Sequence, residues 1–275
     1  EGLGDHHRHE RGGPTHGASA PRPTPVFRHL WPHQQHPRRA PRQRADRGSS
    51  KATRGARPSQ RPPHRHMRHV AAPTLRRVRL SGELALVTGS TSGIGKAIAI
   101  EFAAQGAKVV VHGRDAERGA AVTGLIGGAG GDATFIAADL AGEAACTQLV
   151  ADAVAALGGL TVLVNNAVAG VVDGGDAAVA DMTTSAWDAT LRVNVTAPMW
   201  LSRAAIPNMR AAGHGSIINT ASRQGERPSA GLSAYATSKG ALNALTRAIA
   251  VEEAPHGIRC TTISPGYVVN QRRDA

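Results

Sequence analysis

The sequence is poor in cysteine and in aromatic side chains, and it has no long apolar run. Its two cysteines, Cys146 and Cys260, stand far apart and form no CxxC pair. Neither a disulfide framework nor a thiolate zinc site can be read from them, and a reducing compartment is the expectation. No uninterrupted apolar stretch approaches the roughly 18–20 residues that would span a bilayer. The charged, Pro-rich start carries no apolar h-region, so no secretory signal is visible. The pairs Arg38/Arg39 and Arg76/Arg77 lack the apolar stretch of a twin-arginine signal. These absences lead to the expectation of a soluble, cytoplasmic chain with no membrane partner.

Acidic residues are scarce in one region only. Of 275 residues, the first 80 hold 18 of the 32 Lys and Arg, 10 of the 13 His and 11 of the 16 Pro, but only 4 of the 20 Asp and Glu. This segment's excess of 14 positive charges more than accounts for the chain's net charge of +12, and the remainder is slightly acidic. Phe27 and Trp31 are its only aromatics, too little apolar surface to offset the entropy of ordering. A basic, low-complexity, disordered tail is predicted over residues 1–78. Clustered arginines could neutralise phosphates, yet no reading module or repeated aromatic-basic pattern accompanies them, so a nucleic-acid partner is not expected. The clusters His6, His7, His9 and His64, His66, His69 read as incidental, and no metal site is expected. Because the chain opens at Glu1, Met67 is a candidate native start.

From residue 79 the texture changes. Short apolar runs at 84–88, 108–112, 133–137, 161–164, 216–220 and 259–263 read as strands, the first four nearly continuous in apolar residues. Such runs suit strands buried on both faces of a parallel sheet. Helical patterns lie between them at 94–105, 115–127, 142–157, 186–212 and 234–254. Strand alternating with helix predicts a Rossmann-like α/β domain over 79–275, a doubly wound parallel sheet whose ligand crevice lies at the C-terminal strand ends.

The first strand runs into Thr88, Gly89, Ser90, Thr91, Ser92, Gly93, Ile94 and Gly95, and then into a helix. Glycines in a strand–turn–helix let backbone N–H groups and the helix N-terminus face a pyrophosphate. After the second strand come Gly113, Arg114 and Asp115. An acidic residue there would hold a ribose 2′-hydroxyl, whereas an arginine pairs with a 2′-phosphate. With Gly113 at the strand end and Arg114 next, NADP is favoured; Asp115 keeps NAD open, its other role being to cap the next helix. Asp139 and Leu140 close the third strand, where Asp139 is either an adenine contact or a loop aspartate.

Tyr235 and Lys239 lie four apart in a helical stretch and share one face. An ammonium beside a phenol favours the phenolate, so the pair could exchange a proton with a substrate oxygen. Ser222 stands thirteen residues upstream, just past the fifth strand, on the rim where reacting groups sit in such sheets. Asn194 lies inside the 186–212 helical region.

Taken together, residues 81–275 resemble the short-chain dehydrogenase/reductase family. The resemblance rests on TGSTSGIG at 88–95, Asp139, NNA at 165–167, Asn194, Ser222, the YxxxK at 235–239 and Pro265-Gly266. It implies hydride transfer between a nicotinamide and a carbonyl or alcohol substrate. In that reading Tyr235 is the acid/base, Lys239 supports it and holds the nicotinamide ribose, Ser222 binds the substrate oxygen, and Asn194 supports a water-linked proton path. Gly89, Ser90, Thr91, Ser92, Ile94, Arg114, Asp139, Leu140, Asn166, Tyr235, Lys239 and Val268 would line the dinucleotide. A homodimer or homotetramer is implied. A 3-oxoacyl-carrier-protein reductase, a sugar or small-alcohol dehydrogenase, and a catalytically idle cofactor-binding fragment are the alternatives. Val168 stands where the family pattern has glycine. The chain ends nine residues beyond Gly266, where the family continues through a substrate-covering segment, so a C-terminally incomplete domain is expected.

Overall fold

Six apolar segments pair in parallel in the computed structural model, which describes residues 79–170 and 175–268. The expectation for residues 1–78 lies outside the described residues. The strands are β1 (Leu84–Val87), β2 (Lys108–Gly113), β3 (Asp132–Ala137), β4 (Val162–Asn165), β5 (Gly215–Thr220) and β6 (Ile258–Ile263). Their order is β3-β2-β1-β4-β5-β6. The chain order reverses between β1 and β4, and a crevice opens at such a switch point beyond the carboxyl ends of the strands.

Strand alternation sorts the apolar residues into two layers. Ala85, Val87, Val109 and Val111 pack with Ala99 and Ala103 of α1 (Gly93–Ala104) and Val122 and Ile126 of α2 (Ala116–Gly128). Leu86, Val110, Leu163 and Ile217 face the other way. They meet Leu149 and Ala153 of α3 (Glu143–Leu157), Leu201, Ala205 and Met209 of α5 (Ala197–Ala212), and Ile249 of α6 (Ser233–Glu253). The central strands β1, β2 and β4 are buried on both faces, as their apolar runs imply. The third strand departs from that expectation. As an edge strand with a neighbour on one side only, it leaves Asp132, Thr134 and Ala137 exposed.

The helical region predicted as one stretch over 186–212 is divided. After α4 (Thr184–Leu191) the chain makes a single widened π turn at Arg192–Thr196 before α5 begins. The local cause is Pro198, which has no N–H to give to the carbonyl four residues back, that of Asn194. Such π turns concentrate at functional sites. Farther along, α5 is tied to α6 by Arg210, whose Nε and Nη2 donate to both carboxylate oxygens of Glu253 at 2.8 and 2.6 Å.

One tight contact in the sheet's outer layer gives a stability test. A Cβ built on Gly119 of α2 would lie 2.3 Å from the Phe135 ring of β3. Gly119→Ala should therefore destabilise the domain by about 1–3 kcal/mol, read as a lower urea midpoint with an unchanged slope.

Candidate functional site

Where β1 ends, a set of short hydrogen bonds ties the glycine turn to the segment after β4. The Thr88 hydroxyl accepts from the backbone N–H of Asn166 at 2.9 Å and of Ala167 at 3.1 Å. The Asn166 amide donates back to the carbonyls of Thr88 and Gly89 at 3.0 and 3.1 Å. There is no room for side chains at the joint. A Cβ on Gly95 would stand 2.4 Å from both Asn166 Nδ2 and the Gly89 oxygen, and one on Gly89 would stand 2.8 Å from Ala167 Cα.

Gly93 differs. It opens α1 with φ of +55°, and a Cβ there would meet nothing within 4 Å. The N-cap Ser92 makes no side-chain capping bond, and no acidic residue sits in the first turn of α1. The amide groups at this helix start are therefore left for an anion. An open, uncapped, glycine-rich helix start at the switch point fits a dinucleotide pyrophosphate. Thr91 and Ile94 are half-buried beside it. Thr91 fills the space that a Cβ on Gly113 would need. Ser90 and Leu140, both expected to line the dinucleotide, are buried, and the Ser90 N–H is given to the His112 carbonyl at 2.8 Å. The Ser90 hydroxyl donates to the Val87 carbonyl at 2.6 Å, and Leu140 lies in the core with Cys146 and Leu149.

At the end of β2, Arg114 is exposed and extends from the same rim. Asp115 is already engaged: its carboxylate caps α2, accepting from Arg118 N–H at 3.0 Å, and pairs with Arg118 Nε at 2.7 Å. The Arg118 backbone bond holds this carboxyl below its ordinary range. Asp139 is exposed and accepts from Ala141 N–H at 3.1 Å. Val268, the last described residue, is exposed beyond β6.

The residues singled out beyond β4 and β5 gather around α6. Lys239 is 3% exposed, and its ammonium donates to the Thr220 carbonyl at the end of β5, 2.7 Å away. The same Nζ lies 5.5 Å from the centre of the Tyr235 ring. Burial pushes the Lys239 pKa down to about 8, so the side chain is still mostly charged at neutral pH. Two residues past Thr220, the Ser222 hydroxyl accepts from Gln224 N–H at 3.2 Å, which leaves its own hydrogen to donate. Asn194 is buried in the π turn. Its amide oxygen accepts from Ala169 N–H at 2.9 Å, and its nitrogen donates to the Ala169 carbonyl and to Ser238 Oγ, both at 3.1 Å. Asn194 thus joins the loop after β4 to the residue next to Lys239. Val168, which stands in the family's glycine position, points outward at 39% exposure, and Gly170 takes the positive φ of +94°.

Sequence reasoning missed two residues. Asp176 lies in the loop between β4 and α4, and its carboxylate caps the helix that carries Tyr235. It accepts from Ala234 N–H at 3.1 Å and from Tyr235 N–H at 2.8 Å. The signal available in sequence is that the Leu232 side chain, at the N-cap of α6, has no acceptor to offer. The second is His112, whose ring is buried between the glycine turn and the end of β3. Among the described residues no group of three His, Cys, Asp or Glu could hold a metal ion, and no helix is long and apolar enough to cross a membrane.

The family model for short chain dehydrogenase matches residues 83–274. A relative from Sphingobium indicum, 2,5-dichloro-2,5-cyclohexadiene-1,4-diol dehydrogenase LinX, is 40% identical over 188 residues, covering 68% of this chain and 74% of the relative. A metagenomic short-chain oxidoreductase crystallised with NADP is 41% identical, with a TM-score of 0.64 over 69% of this chain and 84% of its own. A 3-oxoacyl (acyl-carrier-protein) reductase from Agrobacterium tumefaciens C58, with NADP bound, is 33% identical, with a TM-score of 0.67 over 72% and 75% of the two chains.

Two measurements check the site. Asp176→Ala strips the acceptor from two N–H groups of α6 and should cost about 1–2 kcal/mol in urea unfolding, with Asp176→Asn recovering part of the loss. Lys239 predicts a pH slope. Its folded pKa of about 8 lies below the ordinary 10.5, so between these values the unfolded chain binds more protons and stability rises with pH. The contribution is complete above the upper value and is lost as pH falls through the lower one. Lys239→Met should remove that rise from thermal midpoints measured across the window.

Proposed function

This chain belongs to the short-chain dehydrogenase family, and on that premise we propose that it is an NADP-dependent oxidoreductase interconverting a carbonyl and an alcohol, with Tyr235 as acid/base. The observation that carries this reading is the buried Lys239 ammonium held 2.7 Å from the Thr220 carbonyl and 5.5 Å from the Tyr235 ring. Among the described residues no carboxylate pairs with this ammonium; a buried cation without such a partner is costly, and a phenol that becomes anionic beside it supplies a reason for keeping it there.

The dinucleotide would lie across the switch point. Gly89, Thr91, Ser92, Gly93 and Ile94 border the pyrophosphate turn, Asp139 and the Leu140 backbone the adenine side, and Asn166 the floor. Val268 belongs to the same proposed lining. Arg114 is exposed at the β2 rim, while Asp115 is committed to α2 and Arg118. That division supports a 2′-phosphate, and so NADP over NAD. When bound, the reduced cofactor supplies the hydride that reduces the carbonyl carbon.

The chain's own groups handle the oxygen. The Ser222 O–H donates to the substrate oxygen and orients it. Tyr235 O–H delivers the proton that turns this oxygen into a hydroxyl, and Lys239 stabilises the phenolate left behind. Asn194 holds Ser238, whose hydroxyl donates to the Tyr235 carbonyl, and so braces α6 just before Lys239; in this reading Asn194 supports a water-linked proton path to Lys239. Residues 79–275 are the proposed catalytic domain, acting on a small-molecule substrate and assembling as a homodimer or homotetramer.

The test mixes the protein with NADPH and a panel of ketones, sugar carbonyls and 3-oxoacyl thioesters, following loss of NADPH absorbance. Tyr235→Phe should cut turnover by about a hundredfold or more while NADPH still binds. Retained turnover in that variant would remove Tyr235 from the chemistry. NADPH binding without turnover on any member of the panel would favour an idle cofactor-binding protein. Turnover confined to the thioesters would point to the carrier-protein reductase reading.

A further inference from the structure

His112 is one of the few buried titratable groups, and the chemistry above does not use it. It sits in β2, two residues before Arg114, and is 3% exposed. Its Nδ1 lies 3.1 Å from the backbone nitrogen of Gly89, the first glycine of the turn. Its Nε2 lies 3.2 Å from the Ala138 carbonyl, immediately before Asp139. Gly89 N–H can only donate and the Ala138 carbonyl can only accept. The two contacts therefore fix one neutral tautomer, with Nδ1 as acceptor and the proton on Nε2. The His112 backbone adds a second link: its N–H donates to Ser90 Oγ at 2.9 Å, and its carbonyl accepts from Ser90 N–H at 2.8 Å.

We propose that His112 is a positioning residue of the dinucleotide site, a neutral imidazole that holds the pyrophosphate turn at Gly89 in fixed relation to the ends of β2 and β3. The inference rests on the dinucleotide reading given above and deepens it. Two places that would meet one cofactor touch this ring, and a third follows it along β2. Gly89 begins the pyrophosphate turn, Arg114 follows His112 by two residues toward the 2′-phosphate, and Ala138 leads into the adenine-side Asp139. An apolar residue at 112 would fill the space but leave the part-buried Gly89 N–H without its acceptor, and loss of that bond is costly. The acceptor role requires an unprotonated ring, and burial supplies that by pushing the His112 pKa down to about 4. The Ala138 carbonyl and then the Asp139 charge pull the other way, and burial outweighs both.

Two variants separate the halves of the ring. In His112→Asn the side-chain oxygen can stand where Nδ1 stands and keep the Gly89 contact. In His112→Gln the side-chain nitrogen can stand where Nε2 stands, keeping the Ala138 contact and losing the acceptor. NADPH affinity, measured by fluorescence titration, should be close to wild type for His112→Asn and about tenfold weaker for His112→Gln. The loss should fall on the dissociation constant and KM for NADPH and not on kcat. A Gln variant that binds as tightly as wild type, or an Asn variant as weak as the Gln one, overturns the proposal. Wild-type protein that binds no NADPH overturns the dinucleotide reading itself, and this inference with it.

A measurement on the wild type keeps the test independent of variant folding. Nitrogen-15 NMR of the histidine rings should show His112 neutral, with its proton on Nε2, from neutral pH down to below pH 5. Titration of that ring in the ordinary histidine range, or a proton on Nδ1, refutes the positioning role.

Discussion

The joint between Thr88 and Asn166 is the constraint on which the rest of the site depends. One hydroxyl accepts two backbone N–H groups from the far side of the switch point, and one side-chain amide returns two bonds to the turn. Each half satisfies polar groups that the buried strand ends would otherwise leave unpaired. The glycines at 89 and 95 follow from it, since the closest approaches left for a Cβ there are 2.8 and 2.4 Å. A turn held this closely cannot drift relative to β4, so the helix start at Gly93 and the loop carrying Val168 to Gly170 keep fixed positions around one crevice.

The same logic governs the reactive side. Lys239 is a buried ammonium that, among the described residues, has no carboxylate partner; it is held by the Thr220 carbonyl beside the Tyr235 ring. Such a group persists because the surrounding structure leaves it nowhere else to go. Asn194 braces the neighbouring Ser238 from the π turn. Asp176 reaches in from a loop to cap α6 at Tyr235. Pro198 explains the π turn locally, and the turn in turn explains how Asn194 reaches both Ala169 and Ser238. A regular α-helix would have directed an N–H toward the Asn194 carbonyl; a proline cannot.

The division of labour between Arg114 and Asp115 shows how adjacent residues separate into ligand-facing and structural roles. Both lie at the β2 rim, where either could select the cofactor. Capping α2 draws Asp115 into bonds with Arg118, and Arg114 keeps its exposure. The sequence by itself left these two readings open, because a residue just past a strand and just before a helix serves both purposes equally well.

The alternation of apolar runs with helical stretches, the glycine spacing at 89–95 and the four-residue interval from Tyr235 to Lys239 were determined by the sequence alone. Each is a pattern among neighbours, and periodicity and turn chemistry act at short range. The exposed β3 edge, the π turn inside the long helix, the inward-facing Ser90 and Leu140, and the partners of His112 and Asp176 were decided only by the tertiary structure. Gly89 and His112 lie 23 residues apart in the chain, and Asp176 and Ala234 lie 58 apart. No local pattern couples positions so distant; they meet because parallel strands bring their carboxyl ends to one rim, where buried N–H groups take whichever acceptor the packing supplies.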